Sequence, residues 1–243
     1  MPGIGTIINT VLVIFGSLVG LLFKKAIPER LKNSLTQALA LATMTIGITG
    51  IITACCRPGE DGTLSSEYIM LTVLSLALGT ILGELINIEK RLDNAGNFLQ
   101  NKFKASSGST FAEGFITASL VFCVGSMAIL GSLNDGILHD PTILITKSLL
   151  DMIMAMVFAS TLGIGVMFSV VTIIVYQGLI TLCASFLAPL LTAEVIAQMS
   201  LVGSILIMGI GFNFIYKPRL NLANMLPSMF IPLVWYIIQN LWR

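Results

Sequence analysis

The chain contains 243 residues, of which 56% are hydrophobic and only 10% are charged. Soluble domains carry roughly 25% charged residues, so a soluble fold of this length could not hide so much apolar surface, and the solvent must be lipid. The formal net charge of +1 supplies no global field for attracting nucleic acid or acidic substrates. We therefore expect an all-α, polytopic transmembrane helix bundle whose partner is the lipid bilayer, with no nucleic-acid partner.

Seven apolar runs are long enough to cross a bilayer, which takes about 20 residues of helix. No basic residues precede the first run, so we interpret it as a retained transmembrane helix and not as a signal peptide. The fifth run is about twice one spanning length, and Gly163 and Gly165 offer its only plausible break. About eight spans (seven or eight) are therefore predicted, in a single membrane domain covering 1–243. The runs are 4–23, 35–54, 68–86, 111–130, 141–187, 195–216 and 226–242.

Basic residues fall mainly on one side of this predicted bundle. Ten lysines and arginines follow the first, third and seventh of the eight predicted spans, the seventh being the run 195–216, which makes them all cytoplasmic if the N-terminus is outside and the eight helices alternate. The other side receives only Arg57 and Arg243, and both termini are then periplasmic. The turn at 163–165 carries no charge, so it must pack against protein or line a wet cavity. Two full spans and re-entrant segments both stay open for 141–187.

The connection at 87–110 has apolar residues at helical spacing, with its charged residues largely on other faces. This pattern predicts an interfacial amphipathic helix at about 87–104 that lies on the inner leaflet. Anchoring is its expected role, and docking of a partner is the alternative. The apolar positions are Ile88, Leu92, Ala95, Leu99 and Phe103.

Two G-x-x-x-G motifs, Gly16/Gly20 and Gly79/Gly83, precede basic amphipathic exits. Small residues at this spacing let two helix backbones approach closely, so we expect helix packing at both motifs. The likeness of the two segments also hints at a parallel internal repeat.

The polar stretch GSLNDGILHDP precedes the fifth run. Asn134 and Asp135, followed by glycine, are typical of an external turn. Asp140 before Pro141 predicts a helix start, with aspartate as the N-cap and proline at the first helical position. His139 is the only histidine, and no spacing matches a metal site, so no metal ligands are predicted.

Lys147 and Asp151 are charged residues inside a predicted span, and a role in a turn or helix cap does not account for them. They are four residues apart on one helix face, next to Ser148, where they can form an ion pair. Either charge at the bilayer centre costs roughly 2.5–3.5 kcal/mol, and Asp151 is too short to reach the interface. A pair that only fixes helix packing and a pair that belongs to a polar pathway are both open.

Tyr176 and Gln177 form a second polar patch, near the centre of the sixth span. Interfacial aromatic belts explain tyrosines at span ends but not this one. Gly178 is expected to permit close helix approach here, and Thr172 and Thr181 lie on nearby turns. Interhelical hydrogen bonding is the alternative to a pathway role.

Catalytic machinery is missing from the sequence. No nucleophile–base pair, P-loop or dinucleotide motif is present, so we do not expect an enzyme, and no cofactor is predicted. The four cysteines are expected to be small buried side chains and not a redox or metal set. They are Cys55, Cys56, Cys123 and Cys183.

Several segments resemble one known family. GTIINTVLVIFGSLVG, GSMAILGSLNDG, KSLLDMIMAMVFASTLGIGVMFS, YQG and NLANMLPSM occur in the order found in the YqgA/YdfK-type family of bacterial inner-membrane proteins, a domain of unknown function. The resemblance covers essentially the whole chain and is most specific at 125–178. It implies a multi-pass protein of the bacterial plasma membrane, of a kind often described as a candidate transporter, and it implies no substrate or site residues.

Two functions from different classes follow as hypotheses. The first is a transporter or channel for a small solute or ion, with Gly163 and Gly165 as a hinge or helix break. The second is a non-transporting membrane scaffold or regulatory subunit, and a homo-oligomer is open in either case. The predicted pathway residues are Asn134, Asp135, Lys147, Ser148, Asp151, Tyr176 and Gln177.

Overall fold

The computed structural model describes residues 2–24, 28–58, 64–66, 68–91, 94, 110–216 and 220–241. Within these residues the chain is almost entirely helical, with one short antiparallel hairpin formed by β1 (Cys56–Pro58) and β2 (Leu64–Ser66). The predicted interfacial helix at 87–104 lies for the most part outside the described residues. The helices are α1 (Ile4–Lys24), α2 (Glu29–Cys55), α3 (Ile69–Ile86), α4 (Thr110–Cys123), α5 (Ser126–Ile137), α6 (Thr142–Leu162), α7 (Gly165–Leu182), α8 (Ala184–Leu187), α9 (Ala193–Ile215), α10 (Leu222–Met225), the 3-10 helix η1 (Leu226–Phe230) and α11 (Ile231–Leu241).

The distribution of side chains is that of a membrane protein. The buried positions of α1 are mostly small or polar, such as Gly5, Thr6 and Asn9, whereas its large apolar side chains point outward. Ile7 is 63% exposed, for example, and its neighbours on the same face are equally apolar. Such a surface is stable only in hydrocarbon, so the predicted fold class, a polytopic helical bundle, is confirmed.

The described residues contain seven helices that are long and apolar enough to span a bilayer, with α10, η1 and α11 counted together as one. An eighth span arises if α4 and α5, which meet at an angle of 60°, form one broken span. The direction of α6 supports eight. Gly5 of α1 packs on Leu144 and Gly20 packs on Met156, so α1 and α6 are parallel. Parallel spans need an odd number of spans between them, which is satisfied by α2, α3 and the broken pair.

Contacts within the chain divide it into two compact units. Unit 1 comprises Met1–Leu39 and Lys90–Leu187, and unit 2 comprises Ala40–Glu89 and Ala188–Arg243. All seven predicted pathway residues and both predicted hinge glycines belong to unit 1.

In unit 1, glycines bring helix backbones into contact. A Cβ atom at Gly16 or Gly20 would collide with the carbonyl oxygen of Met152 or Met156 in α6, so this G-x-x-x-G motif packs as predicted. At Gly178, in contrast, a Cβ atom would meet nothing within 4 Å. The expected close approach at Gly178 is therefore wrong, because this glycine faces open space.

The two kinds of glycine predict opposite effects of the same substitution. Gly16→Ala should lower the free energy of unfolding by about 2 kcal/mol, because a methyl group must displace the backbone of α6. Gly178→Ala should raise it by about 0.5–1 kcal/mol, because alanine costs less entropy in a helix. Thermal unfolding in detergent measures both, and equal melting temperatures for the two variants would contradict this packing.

Glycines also bring helix backbones into contact in unit 2. Gly79 and Gly83 of α3 lie against the backbone of Ser228 and Asn224, so α3 is antiparallel to the last span. Gly47 of α2 packs on the backbone of α9 in the same way. The second predicted packing motif is thus confirmed.

Two local predictions are corrected. The run 111–130 is not one straight helix, because it breaks after Cys123 at Gly125, whose φ of 123° only glycine adopts easily. After the break, α5 continues to Ile137, so Asn134 and Asp135 lie in its last turn and not in an external turn. The turn is formed by the following residues, where His139 adopts a φ of 57°.

Candidate functional site

The charged pair lies inside α6. Lys147 and Asp151 are one helical turn apart, and the Lys147 Nζ donates a hydrogen bond to the Asp151 Oδ2. Their side chains are only 7% and 8% exposed. Asp151 is nine residues beyond the start of α6, which is about 13 Å along the helix. The lysine therefore does not extend to the interface, and the two charges neutralise each other within the span.

An amide pair from two other helices lies against this ion pair. Asn9 of α1 donates from Nδ2 to the Oε1 of Gln177 in α7, at 3.3 Å, and both side chains are completely buried. The Asn9 amide also lies close to the Asp151 side chain. Asn9 thus links the charged residue predicted on α6 with the polar residue predicted on α7, and the site is built from three helices.

The end of a fourth helix reaches the same place. Cys123, the last residue of α4, is 4% exposed and lies close to both Lys147 and Asp151. Tyr176 in turn lies close to Cys123. The break at Gly125 is two residues further along, so an interrupted helix ends beside the ion pair. Broken helices at buried ionisable groups are the architecture of many transporter binding sites.

Asp135 is one of the most buried charged residues of unit 1, with no exposed surface. Its Oδ2 accepts hydrogen bonds from the backbone N–H groups of Gly3, at 3.2 Å, and Gly5, at 3.0 Å. The carboxylate therefore caps the N-terminus of α1, where the helix dipole favours negative charge. This contact explains why Asn134–Asp135–Gly136 continues α5: turn chemistry would have moved Asp135 away from the N–H groups that it satisfies.

The remaining predicted pathway residues are less central. Ser148 is buried, but its hydroxyl donates to the Leu144 carbonyl in its own helix, at 2.5 Å. Asn134 is half-buried, and its backbone carbonyl accepts from the N–H groups of Leu138 and Asp140. The contacts described for these two residues are local, and they do not join the cluster around Asp151.

The break between α6 and α7 is covered by protein. Gly163, with a φ of 86°, separates the helices, and the Lys24 ammonium lies directly over it. A cation at the C-terminus of a helix compensates its unsatisfied carbonyls. Gly165 packs tightly on the Phe111 carbonyl of α4. The uncharged turn at 163–165 therefore packs against protein, which is one of the two arrangements expected from its sequence.

The predicted start of α6 is shifted by one residue. The helix begins at Thr142, and Pro141 occupies the position before it. Asp140 is exposed between α5 and α6, and its Oδ1 accepts from the Thr142 hydroxyl, at 2.6 Å, and from the Thr142 backbone N–H, at 3.0 Å. The hydrogen bond from the Thr142 side chain, followed by that from its backbone, lowers the pKa of Asp140 below its usual value.

Two members of the cluster are not among the residues predicted from the sequence. Asn9 is absent from the predicted pathway residues, and Cys123 is expected only as a small buried side chain. The signal for Asn9 was an amide inside a span, but its partner Gln177 is 168 residues away, and no local pattern identifies it. Cys123 is placed beside the ion pair by the unforeseen break of the fourth span.

Unit 2 contains a separate cavity of about 380 Å³. It includes none of the predicted pathway residues, and its polar walls come from the ends of α3, α9 and α11. Tyr68 lies at the start of α3, and a tyrosine at a helix end is typical of the membrane interface. The lining includes Tyr68, Glu194, Gln198, Trp235, Tyr236 and Gln239.

Comparison with known proteins identifies similar chains. A family model described as "Protein of unknown function (DUF554)" matches residues 4–237. The uncharacterized membrane protein YdfK of Bacillus subtilis (strain 168) is 37% identical over 228 residues, covering 94% of this chain and 93% of YdfK. The uncharacterized protein YqgA of Escherichia coli (strain K12) is 31% identical over 232 residues, covering 94% of each chain. No solved structure matches the chain.

Proposed function

Because this chain belongs to the DUF554 family of proteins of unknown function, we propose its function from its own residues. The protein is a multi-pass bacterial inner-membrane transporter or channel for a small solute or ion. Its site is the cluster formed by Asn9, Lys147, Asp151, Tyr176 and Gln177 in unit 1. Both termini lie on the periplasmic side, as the basic residues predict, and no enzymatic reaction is assigned.

The observation that carries this proposal is the cost of the ion pair. Each charge inside a span costs roughly 2.5–3.5 kcal/mol on the insertion scale, and an apolar pair of similar volume would fill the same space without that cost. A side-chain hydrogen bond that only holds two membrane helices together contributes about 0.6 kcal/mol to stability on average. Packing alone is thus a weak reason to keep Lys147 and Asp151, whereas a transported charge needs groups of this kind.

The geometry suggests how the pair would work. Lys147 and Asp151 neutralise each other at rest, and a transported ion or charged solute competes with one partner for the other. A cation or proton reaching Asp151 would release Lys147, and a carboxylate reaching Lys147 would release Asp151. The breaks at Gly125 and Gly163 provide positions where helix ends can shift when this exchange occurs.

The competing function is a non-transporting scaffold or regulatory subunit. In that case the ion pair only locks α1, α6 and α7 together, and the backbone contacts at Gly16 and Gly20 favour such rigid packing. The two functions differ in one observable, which is whether the purified protein moves anything across a bilayer.

Flux through reconstituted liposomes tests the proposal. Wild-type protein should dissipate a proton, sodium or potassium gradient, or take up a small metabolite, faster than empty liposomes. Asp151→Asn removes the buried negative charge and should reduce flux to the empty-liposome rate. Asp140→Asn makes the same change at an exposed carboxylate outside the spans and should leave flux unchanged. Absence of flux with every gradient, or full flux in Asp151→Asn, would favour the scaffold.

A further inference from the structure

We propose that the outer half of unit 1 contains a hydrated path for a small cation, which enters at Asp135 and follows α1 inward to the Asn9–Asp151 contact. We call this the outer path, and it is formed by Thr6, Asn9, Asp135, Gln177 and Thr181. The inference rests on the proposed function because the path ends at the proposed site.

The outer path is defined by buried polar atoms that lack protein partners. Among the described residues, five such atoms belong to it, and each of the five side chains is at most 6% exposed. An unsatisfied polar group in hydrocarbon costs several kcal/mol, so water or an ion must meet these atoms. The atoms are Thr6 Oγ1, Asn9 Oδ1, Asp135 Oδ1, Gln177 Nε2 and Thr181 Oγ1.

The two threonines differ from others in the described helices. A threonine hydroxyl inside a span usually satisfies itself by donating to the carbonyl four residues earlier, and Thr10, Thr49, Thr72 and Thr80 do so in this chain. Thr181 has the Gln177 carbonyl four residues earlier in α7, yet its hydroxyl has no protein partner. The hydroxyl of Thr6, which lies in the first turn of α1, has no protein partner either. Their hydroxyls are therefore available to line a path.

Helix geometry places these atoms in order along α1. Since α6 and α7 are joined by a tight turn and α6 is parallel to α1, α7 is antiparallel to α1. One turn outward from the Asn9–Gln177 contact therefore brings Thr6 level with Thr181. Asp135 bonds the N–H of Gly5 at this same level, and the backbone of α5 touches the Thr181 carbonyl at Gly136. The path thus has an outer ring of Thr6, Asp135 and Thr181, and Asn9 with Gln177 lies about 5 Å further in.

The chemistry of the outer ring favours a cation. A carboxylate oxygen and two hydroxyl oxygens are hard ligands of the kind that small cations and hydronium prefer. Asp151 is neutralised by Lys147, so Asp135 supplies the net charge of the path. The N-terminus of α1 contributes only about half a positive charge, which leaves the entrance negative.

Thiol labelling tests the outer path without any transport assay. The four native cysteines are replaced by serine or alanine in the full-length protein, and Thr6→Cys or Thr181→Cys is introduced as a near-isosteric change. Ile7→Cys and Leu179→Cys are the matched controls, because these neighbouring side chains are 63% and 55% exposed on the apolar surface. Spheroplasts receive membrane-impermeant methanethiosulfonate reagents that carry either an ammonium or a sulfonate group. Protein unfolded in detergent verifies that every introduced thiol can react.

Thiols at 6 and 181 should react about tenfold faster than the lipid-facing controls, because only a hydrated thiol ionises to the nucleophilic thiolate. The ammonium reagent should react faster than the sulfonate reagent, and Asp135→Asn should remove that preference. Equal reactivity of all four positions, no reaction in folded protein, or a preference for the sulfonate would overturn the outer path. Rapid cation-selective labelling in a protein that moves no solute would support the path and refute the proposed transport.

Discussion

Replacing Lys147 alone with methionine is expected to lower the free energy of unfolding by about 3 kcal/mol, because Asp151 would stay buried without its partner. The double variant Lys147→Met/Asp151→Leu should unfold close to the wild-type temperature, since a buried ion pair can be exchanged for apolar residues of similar volume at little cost. Thermal unfolding in detergent measures this difference. The Asn9–Gln177 hydrogen bond joins two uncharged amides and should persist in the double variant.

A single variant as stable as the double variant would contradict this expectation. It would mean that the pair is not formed, or that water from the outer path already solvates the Asp151 carboxylate. Asp140→Asn serves as the control, because its carboxylate is exposed and lies outside the spans, so its replacement should change the melting temperature very little.

The second large effect is expected at Asp135. Asp135→Ala should lower the free energy of unfolding by about 2–3 kcal/mol, because the part-buried N–H group of Gly3 and the buried N–H group of Gly5 would lose a charged acceptor. Asp135→Asn keeps an acceptor oxygen at the same place and should lose about half as much. Melting temperature and proteolysis of the first residues of α1 provide the readouts.

If Asp135→Ala is as stable as wild type, the N-terminus of α1 is solvated and the outer path begins deeper than proposed. If Asp135→Asn is as damaging as Asp135→Ala, the charge matters more than the hydrogen bonds. Since Asp135 also supplies the charge of the outer path, the stability of Asp135→Asn decides whether its labelling result can be read as an effect on the path alone.

Most of the fold follows from apolar length and charge. The span count, the break at Gly163–Gly165 and the G-x-x-x-G contacts need only local information, because a run of about 20 apolar residues has few alternatives in a bilayer. With eight spans, nearly all the positive charges fall on one side of the membrane. The parallel packing of α1 and α6 requires an odd number of spans between these two helices, which agrees with that count.

The site was harder to predict because its partners are distant in sequence. Asn–Asp–Gly favours a turn locally, yet two N–H groups more than 100 residues away hold Asp135 in a helix. The ion pair could be predicted from i, i+4 spacing, but neither Asn9 nor Cys123 could be assigned to it from one sequence. Gly178 was misread for a similar reason, since a glycine permits close packing but does not reveal whether a neighbour is present.

In the proposed function the Lys147–Asp151 ion pair serves transport and not only packing. The Lys147→Met/Asp151→Leu variant separates these roles, because it should keep the fold while it removes both charges. Its flux in liposomes, measured with the gradient that drives the wild-type protein, is therefore the most direct test. Our proposal predicts a protein that melts near the wild-type temperature and moves solute no faster than empty liposomes. A folded double variant with wild-type flux would contradict it.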